Sequence, residues 1–258
     1  MRGTMSGRVG GRIGAAVRRL LPGADRVRFD GAVLPPAEKR FCGPEFKDDA
    51  FFLRSSEAEA ERLRGMGCGP GSRVLDVGCG YGRLPIGLLR VLSEVDYLGL
   101  DVNRGSIDWC RRHLERAHPS FRFAWMDLKN ERYNPGGGSI GEGFRFPVET
   151  GTIDAAYLYS VASHLPEADL RIYLGELARV LAPGGRVFLT AFVEEGVPAI
   201  SINPSGYAFP KCTGPLHVVR YERGYLGGLL DAAGFRVERF DHGAETDGQS
   251  GIYLSRQP

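Results

Sequence analysis

The segment VLDVGCGYGRLP, Val74 to Pro85, gathers the residue types that hold an anionic ligand. Gly78, Gly80 and Gly82 alternate between an apolar run and a helix-like stretch. Glycines at that spacing let the backbone turn sharply and approach a ligand closely. The N–H groups that open the following helix are then available to an anionic group. Cys79 lies inside this loop and reads as a small packing residue rather than a nucleophile. Asp76 precedes the loop, and Asp101, with Val102 after it, follows 25 residues later at the end of YLGLDV. A carboxylate there reaches both hydroxyls of a ribose laid across the carboxyl ends of the first two strands. A dinucleotide site would look the same, so the pattern by itself leaves the nucleotide open. Proton transfer needs a group that titrates near neutrality. His164, in YSVASHLPEAD, is the first candidate base, since imidazole has a reference pKa of about 6.5. Its other reading is a pocket-lining or helix-start residue. His217, in CTGPLHVVRYE, is the second candidate. His113 and His118 fall on or beyond a helix and are expected at the surface, and His242 carries no signal.

These residues need a frame. From residue 73 short apolar runs alternate with helical periodicity. Strands are expected at 73–78, 95–102, 121–128, 152–160, 184–192, 235–241 and 250–256, and helices at 83–92, 106–117, 167–181 and 221–234. Strands separated by helices predict an α/β fold: a doubly wound, Rossmann-like sheet of seven mostly parallel strands with helices on both faces. Only HGAETDGQ separates the last two strands, which must pair as an antiparallel hairpin. Residues 33–70 read as a helical preface whose Phe46, Phe51 and Phe52 need an apolar surface, with Phe52 expected beside the substrate. Residues 193–220 are longer than an ordinary connector of about 2–6 residues. With Tyr207, Phe209 and His217 among prolines, they read as a lid over a moderately apolar acceptor. The glycines of 134–147 suggest a mobile rim.

Composition narrows the class. Apolar residues make up 43% of the 258 and charged residues 25%, which fits a globular chain rather than a disordered one. No window is apolar enough to span a membrane, and RRLLPGA lacks a secretory core. Five cysteines without close pairing give neither a metal pattern nor a disulfide framework, so a reducing cytoplasm is expected. The net charge of +2 conceals seven arginines and one acid in residues 1–28, which leaves the remainder at −4. An acidic body argues against a nucleic-acid partner. Residues 1–32 read as a loose basic arm, dispensable for the fold, with peripheral contact to an anionic surface as its other reading.

Together VLDVGCGYG, YLGLDV, WMDL, IDAAYLYSVASHL and ELARVLAPGGRVFLT closely resemble class I S-adenosylmethionine-dependent methyltransferases, over about residues 70–192 plus the closing helix and hairpin. The resemblance implies S-adenosylmethionine as cofactor. Asp76 and the Gly78–Gly82 loop would hold its methionine part, Asp101 its ribose, Asp127 with Leu128 its adenine, and Ser160 would face the sulfonium. A bacterial branch of unassigned substrate looks similar. Strand four ends in DAAYLYS, which lacks the Asp/Asn-Pro-Pro-aromatic signature of amino methylation on adenine or glutamine. Pro-Cys, a catechol-type magnesium cluster and the separated glutamates of arginine methyltransferases are absent too. The expectation is metal-independent transfer to oxygen or nitrogen of a small natural product or sugar-like acceptor. An RNA or protein methyltransferase, a nicotinamide oxidoreductase and a non-catalytic cofactor-binding scaffold are the alternatives. Oligomeric state is not readable.

Overall fold

Apolar runs that alternate with one-sided helices can bury both kinds of surface only as a sheet sandwiched by helices. The computed structural model, which describes residues 25–141 and 143–257, has that architecture. The central strands are β3 (Arg73–Val77), β4 (Asp96–Asp101), β5 (Phe121–Trp125), β6 (Ile153–Leu158) and β7 (Leu181–Glu194). The hairpin β10 (Phe235–Asp241) and β11 (Ser250–Arg256) closes one edge, in the order β10-β11-β7-β6-β3-β4-β5. β3 to β7 are parallel where they adjoin, whereas β11 runs antiparallel to both β7 and β10. The α/β fold with its antiparallel C-terminal hairpin is therefore the one the sequence predicts.

The helices lie where the periodicity puts them. α2 (Arg83–Val91) follows β3, α3 (Arg104–Cys110, continued by a wider turn to Glu115) follows β4, α4 (Glu167–Val180) follows β6, and α5 (Arg223–Ala232) precedes β10. α1 (Asp49–Gly65) opens with Asp48 accepting from Phe51 N at 2.8 Å and crosses α2 at close range. A Cβ on Gly87 would fall 1.8 Å from the Ser56 carbonyl oxygen, so only glycine permits this crossing. The core divides in two across the sheet. Leu75, Leu158, Leu174 and Leu189 belong to one side, and Phe52, Leu63, Trp109 and Tyr97 to the other.

Four expectations need correction. The lid segment 193–220 is not all loop: β8 (Ile200–Ile202) and β9 (Val219–Glu222) pair antiparallel, and β9 runs parallel to the far end of β7. The sheet thus has nine strands. β7 is lengthened beyond 184–192 at both ends, toward β6 at Leu181 and toward β9 at Val193–Glu194. The arm boundary at residue 32 cuts through a hairpin, β1 (Val27–Phe29) and β2 (Ala32–Leu34), turned at Asp30-Gly31 with both φ positive. Val27 and Leu34 are fully buried, and Asp25 is tied to Trp109 Nε1, Arg112 and His113, so the body includes residues 25–32. Residues 1–24 of the predicted arm lie outside the described residues. His113, expected at the surface, packs on Trp109 at 5.0 Å and is almost wholly covered. Finally, 144–148 is fastened: Phe146 is buried, and Glu176 of α4 accepts its N–H at 2.7 Å.

Candidate active site

The carboxyl ends of β3, β4, β6 and β7 open into one cavity of about 380 Å³, within the roughly 300–1,000 Å³ range of small-molecule sites. One end is built by the glycine loop. Gly78 stands at φ +82, and a Cβ there would lie 2.4 Å from Val161 Cγ2. Any other residue would close this cradle and strain the turn. Gly78 N and Cys79 N donate to the Leu100 carbonyl, which locks the loop to β4. Asp101 receives Gly80 N at 2.7 Å on one oxygen and Asn103 N at 2.7 Å on the other. Each carboxylate oxygen keeps a further lone pair, as a pair of ribose hydroxyls requires. Burial raises the Asp101 carboxyl to about 6, against the pull of those backbone donors. Burial also lifts Asp76 to about 8, opposed by the Tyr97 hydroxyl that donates to it at 2.6 Å. The Cys79 thiol is pushed well up by burial, the reverse of what a thiolate nucleophile needs.

The other end is assembled from distant segments. Ser160, at φ +58, donates its N–H to Thr190 Oγ1 and accepts from Gln249 Nε2 at 2.7 Å, while Thr190 Oγ1 donates to Gln249 Oε1. Arg83 and Glu59 pair at 2.5 Å in the wall, with Arg83 over the rings of Tyr159 and Phe46. Phe41 covers the mouth against Tyr81 and Tyr133. His164 follows β6 on a single turn, Ala162–His164, and its Nδ1 meets the Leu216 carbonyl at 2.8 Å. Burial lowers this imidazole to about 4, against that hydrogen bond. The ring is therefore neutral at pH 7 and can take up a proton.

Asp76, Gly78, Cys79, Gly80, Asp101, Val102, Leu128, Ser160, His164, His217, Phe52 and Phe209 all line this cavity. Three expected site residues lie elsewhere. Gly82 caps α2 at φ +78, where a Cβ would meet Leu114 at 2.7 Å, so it serves packing. Asp127 is exposed and accepts from Asn134 Nδ2 at 3.0 Å, which shapes the turn that follows. Tyr207 points back to Glu194 at 3.0 Å with Arg220 over its ring. Sequence reasoning missed Phe41, Glu59, Arg83, Tyr133 and Gln249. Only Arg83, directly after the glycine loop, had a local cue.

A doubly wound sheet whose first loop is a glycine cradle, with a ribose-type acid ending the second strand, defines the Rossmann-like class that takes an adenosine-bearing cofactor. Residues 74–185 match the family model described as a methyltransferase domain. The chain carries a class I S-adenosylmethionine-dependent methyltransferase domain. It is 31% identical to sterol 24-C-methyltransferase of Schizosaccharomyces pombe over 54% of this chain and 33% of that protein. It is 35% identical to a fatty-acid O-methyltransferase of Mycolicibacterium smegmatis over 46% of this chain and 37% of that protein. The chain thus spans about a third of the length of these curated relatives. Among solved structures it is similar in fold to geranyl diphosphate C-methyltransferase from Streptomyces coelicolor, with TM-score 0.57 and 17% identity over 83% of this chain and 84% of that one. No helix among the described residues is long and apolar enough to cross a membrane.

Proposed function

We propose that this protein methylates an oxygen or nitrogen of a small molecule enclosed in the cavity. The observation that carries the reading is that Asp101 and the Gly78–Gly80 cradle open into the same cavity as His164. The donor set suits the cofactor: two carboxylate oxygens with spare lone pairs for the ribose, and a backbone cradle without side chains for the methionine part. Asp76, Cys79, Val102, Leu128 and Ser160 would complete its shell. When bound, S-adenosylmethionine supplies an electrophilic methyl group on sulfur. The protein's own contribution is to exclude water with Phe41, Tyr133 and Phe209, to orient the acceptor, and to receive its proton at His164.

Residues 25–257 act as one methyltransferase unit, in which Phe209 and His217 of the 193–220 segment face the acceptor. Five free cysteines support a reducing, cytoplasmic setting. The basic residues 1–24 would supply any peripheral contact with an anionic surface.

Calorimetric titration with S-adenosylmethionine and S-adenosylhomocysteine tests the cofactor, and transfer of a labelled methyl group into a small-molecule extract tests the activity. NADH binding without S-adenosylmethionine binding would sink the proposal.

A further inference from the structure

Two imidazoles line the acceptor end of the cavity, and the backbone fixes them in opposite tautomers. The Leu216 carbonyl can only accept, so His164 Nδ1 carries a hydrogen and donates to it at 2.8 Å. His164 Nε2 is then a bare lone pair. Thr213 N can only donate, and it does so to His217 Nδ1 at 2.8 Å. That nitrogen is therefore the acceptor, and His217 Nε2 carries the hydrogen. Both rings line the cavity, and neither Nε2 is among the buried polar atoms left without a partner. The cavity thus presents one fixed acceptor and one fixed donor from neighbouring rings.

The loop that does this is built for it. Leu216 holds φ +50, a conformation an ordinary side chain adopts only under constraint, and this turns its carbonyl toward His164. The constraint is visible. Asn203 clamps the loop by bonds to Val218 N at 3.0 Å and from its own N–H to the Val218 carbonyl at 2.7 Å. Arg132 reaches across from the opposite rim to the Thr213 carbonyl at 3.1 Å. Burial, then the Arg132 charge, lowers His217 as well, so both rings stay neutral. Flat side chains flank the pair: Tyr133 edge-on to His164 at 5.5 Å, and Phe209 against His217 at 4.6 Å.

We infer that His164 and His217 together select a planar acceptor bearing a hydroxyl beside a second, hydrogen-bond-accepting oxygen. This rests on the methyltransfer reading and resolves it toward oxygen. The hydroxyl proton passes to His164 Nε2, whose lone pair becomes an N–H bond, and the oxygen keeps the electron pair. The proton then leaves the imidazolium for water. His217 Nε2–H donates to the neighbouring carbonyl or ether oxygen and fixes which hydroxyl faces the methyl group. An amine offers no such oxygen pair, and a carbon acceptor offers neither group.

The test uses the full chain saturated with S-adenosylhomocysteine and nitrogen-15 NMR of the imidazoles. At pH 7 the expected spectrum shows His164 as the Nδ1–H form and His217 as the Nε2–H form. 2′-Hydroxyacetophenone should move both Nε2 resonances and bind about three- to tenfold tighter than phenol or acetophenone, the effect of one added neutral hydrogen bond. His217→Phe should erase that advantage while keeping S-adenosylhomocysteine affinity. Either tautomer reversed, 2′-hydroxyacetophenone no tighter than phenol in the native protein, or an advantage that survives in His217→Phe overturns the inference. Failure to bind S-adenosylhomocysteine would instead remove the methyltransfer reading beneath it, while tautomers reversed in a protein that binds it remove the pair alone.

Discussion

The two ends of the cavity are built on different principles. The end proposed for the cofactor comes mainly from one continuous stretch, β3 through β5, and its contacts are mostly from backbone donors: Gly80 N and Asn103 N to Asp101, Gly78 N to Leu100. The end proposed for the acceptor combines Phe41, Glu59, Arg83, Tyr133, His164, His217 and Gln249, drawn from almost the whole chain. Its contacts run mostly between side chains or from a side chain to a distant carbonyl, with Thr213 N to His217 Nδ1 a local backbone exception. A backbone cradle tolerates change in the residues around it so long as the glycines stay. A mosaic of side chains changes with each substitution. On the proposed function, the difference predicts that mutations at the two ends separate cofactor affinity from turnover.

The largest effect is expected at the acceptor end. His164→Ala should lower turnover by about 10²–10⁴-fold, the usual contribution of a general base, and leave S-adenosylhomocysteine affinity unchanged. Single-turnover transfer with an identified acceptor measures the first and calorimetry the second; equal loss in both would erase the contrast. Glu59→Ala should destabilise the protein by about 3–5 kcal/mol in urea unfolding, because Arg83 would remain buried without its partner. A loss under about 1 kcal/mol would mean that stacking on Tyr159 and Phe46 holds the guanidinium.

At the cofactor end Asp101→Ala should weaken cofactor binding by about 1–3 kcal/mol, through loss of charge-assisted hydrogen bonds, with little change in the saturated rate. Removal of everything before Val33 should cost about 1.5–3 kcal/mol for Val27 alone. Removal of residues 1–24 alone keeps the contacts of the hairpin among the described residues and should keep the melting temperature.

The smallest effect is a slope with pH. The Asp76 carboxyl is raised to about 8, so the folded protein holds a proton that the unfolded chain has released. Its contribution is full below the ordinary carboxylate pKa and disappears as pH rises through about 8. His164, lowered to about 4, has the opposite sign and acts between about 4 and 6.5. Between about pH 6.5 and 8 only Asp76 of these two is active. Stability of the cofactor-free protein should therefore fall there by about 1–2 kcal/mol. Asp76→Asn should flatten the curve, and an unchanged slope in that variant would assign the proton elsewhere.

Legibility followed the range of the interaction. Asp101 could be read because strand, acid and helix are adjacent in the chain, and the spacing alone fixes where the carboxylate stands. The β1–β2 hairpin was equally local but went unread inside the predicted arm, although VRFDGAVL carries the Asp-Gly pair that favours a two-residue turn with positive φ. Asp127 misled because a strand-end acid has the same local signature whether it faces a ligand or, as here, accepts from Asn134. Tyr207 misled in a similar way, since an aromatic in a long loop does not declare which side of the sheet it will face.

The sequence by itself determined the alternation of strand and helix, the glycine cradle, the paired position of Asp101 and the closing hairpin, because hydrophobic period and backbone sterics act over a few residues. The tertiary structure alone decided that 219–222 would become a ninth strand, that Gln249 would reach Ser160 across 89 positions, and that Leu216 and Thr213 would set two histidines in opposite tautomers. Those outcomes depend on which surfaces meet when β7 is extended and the hairpin folds back, and no local periodicity encodes a meeting between distant segments.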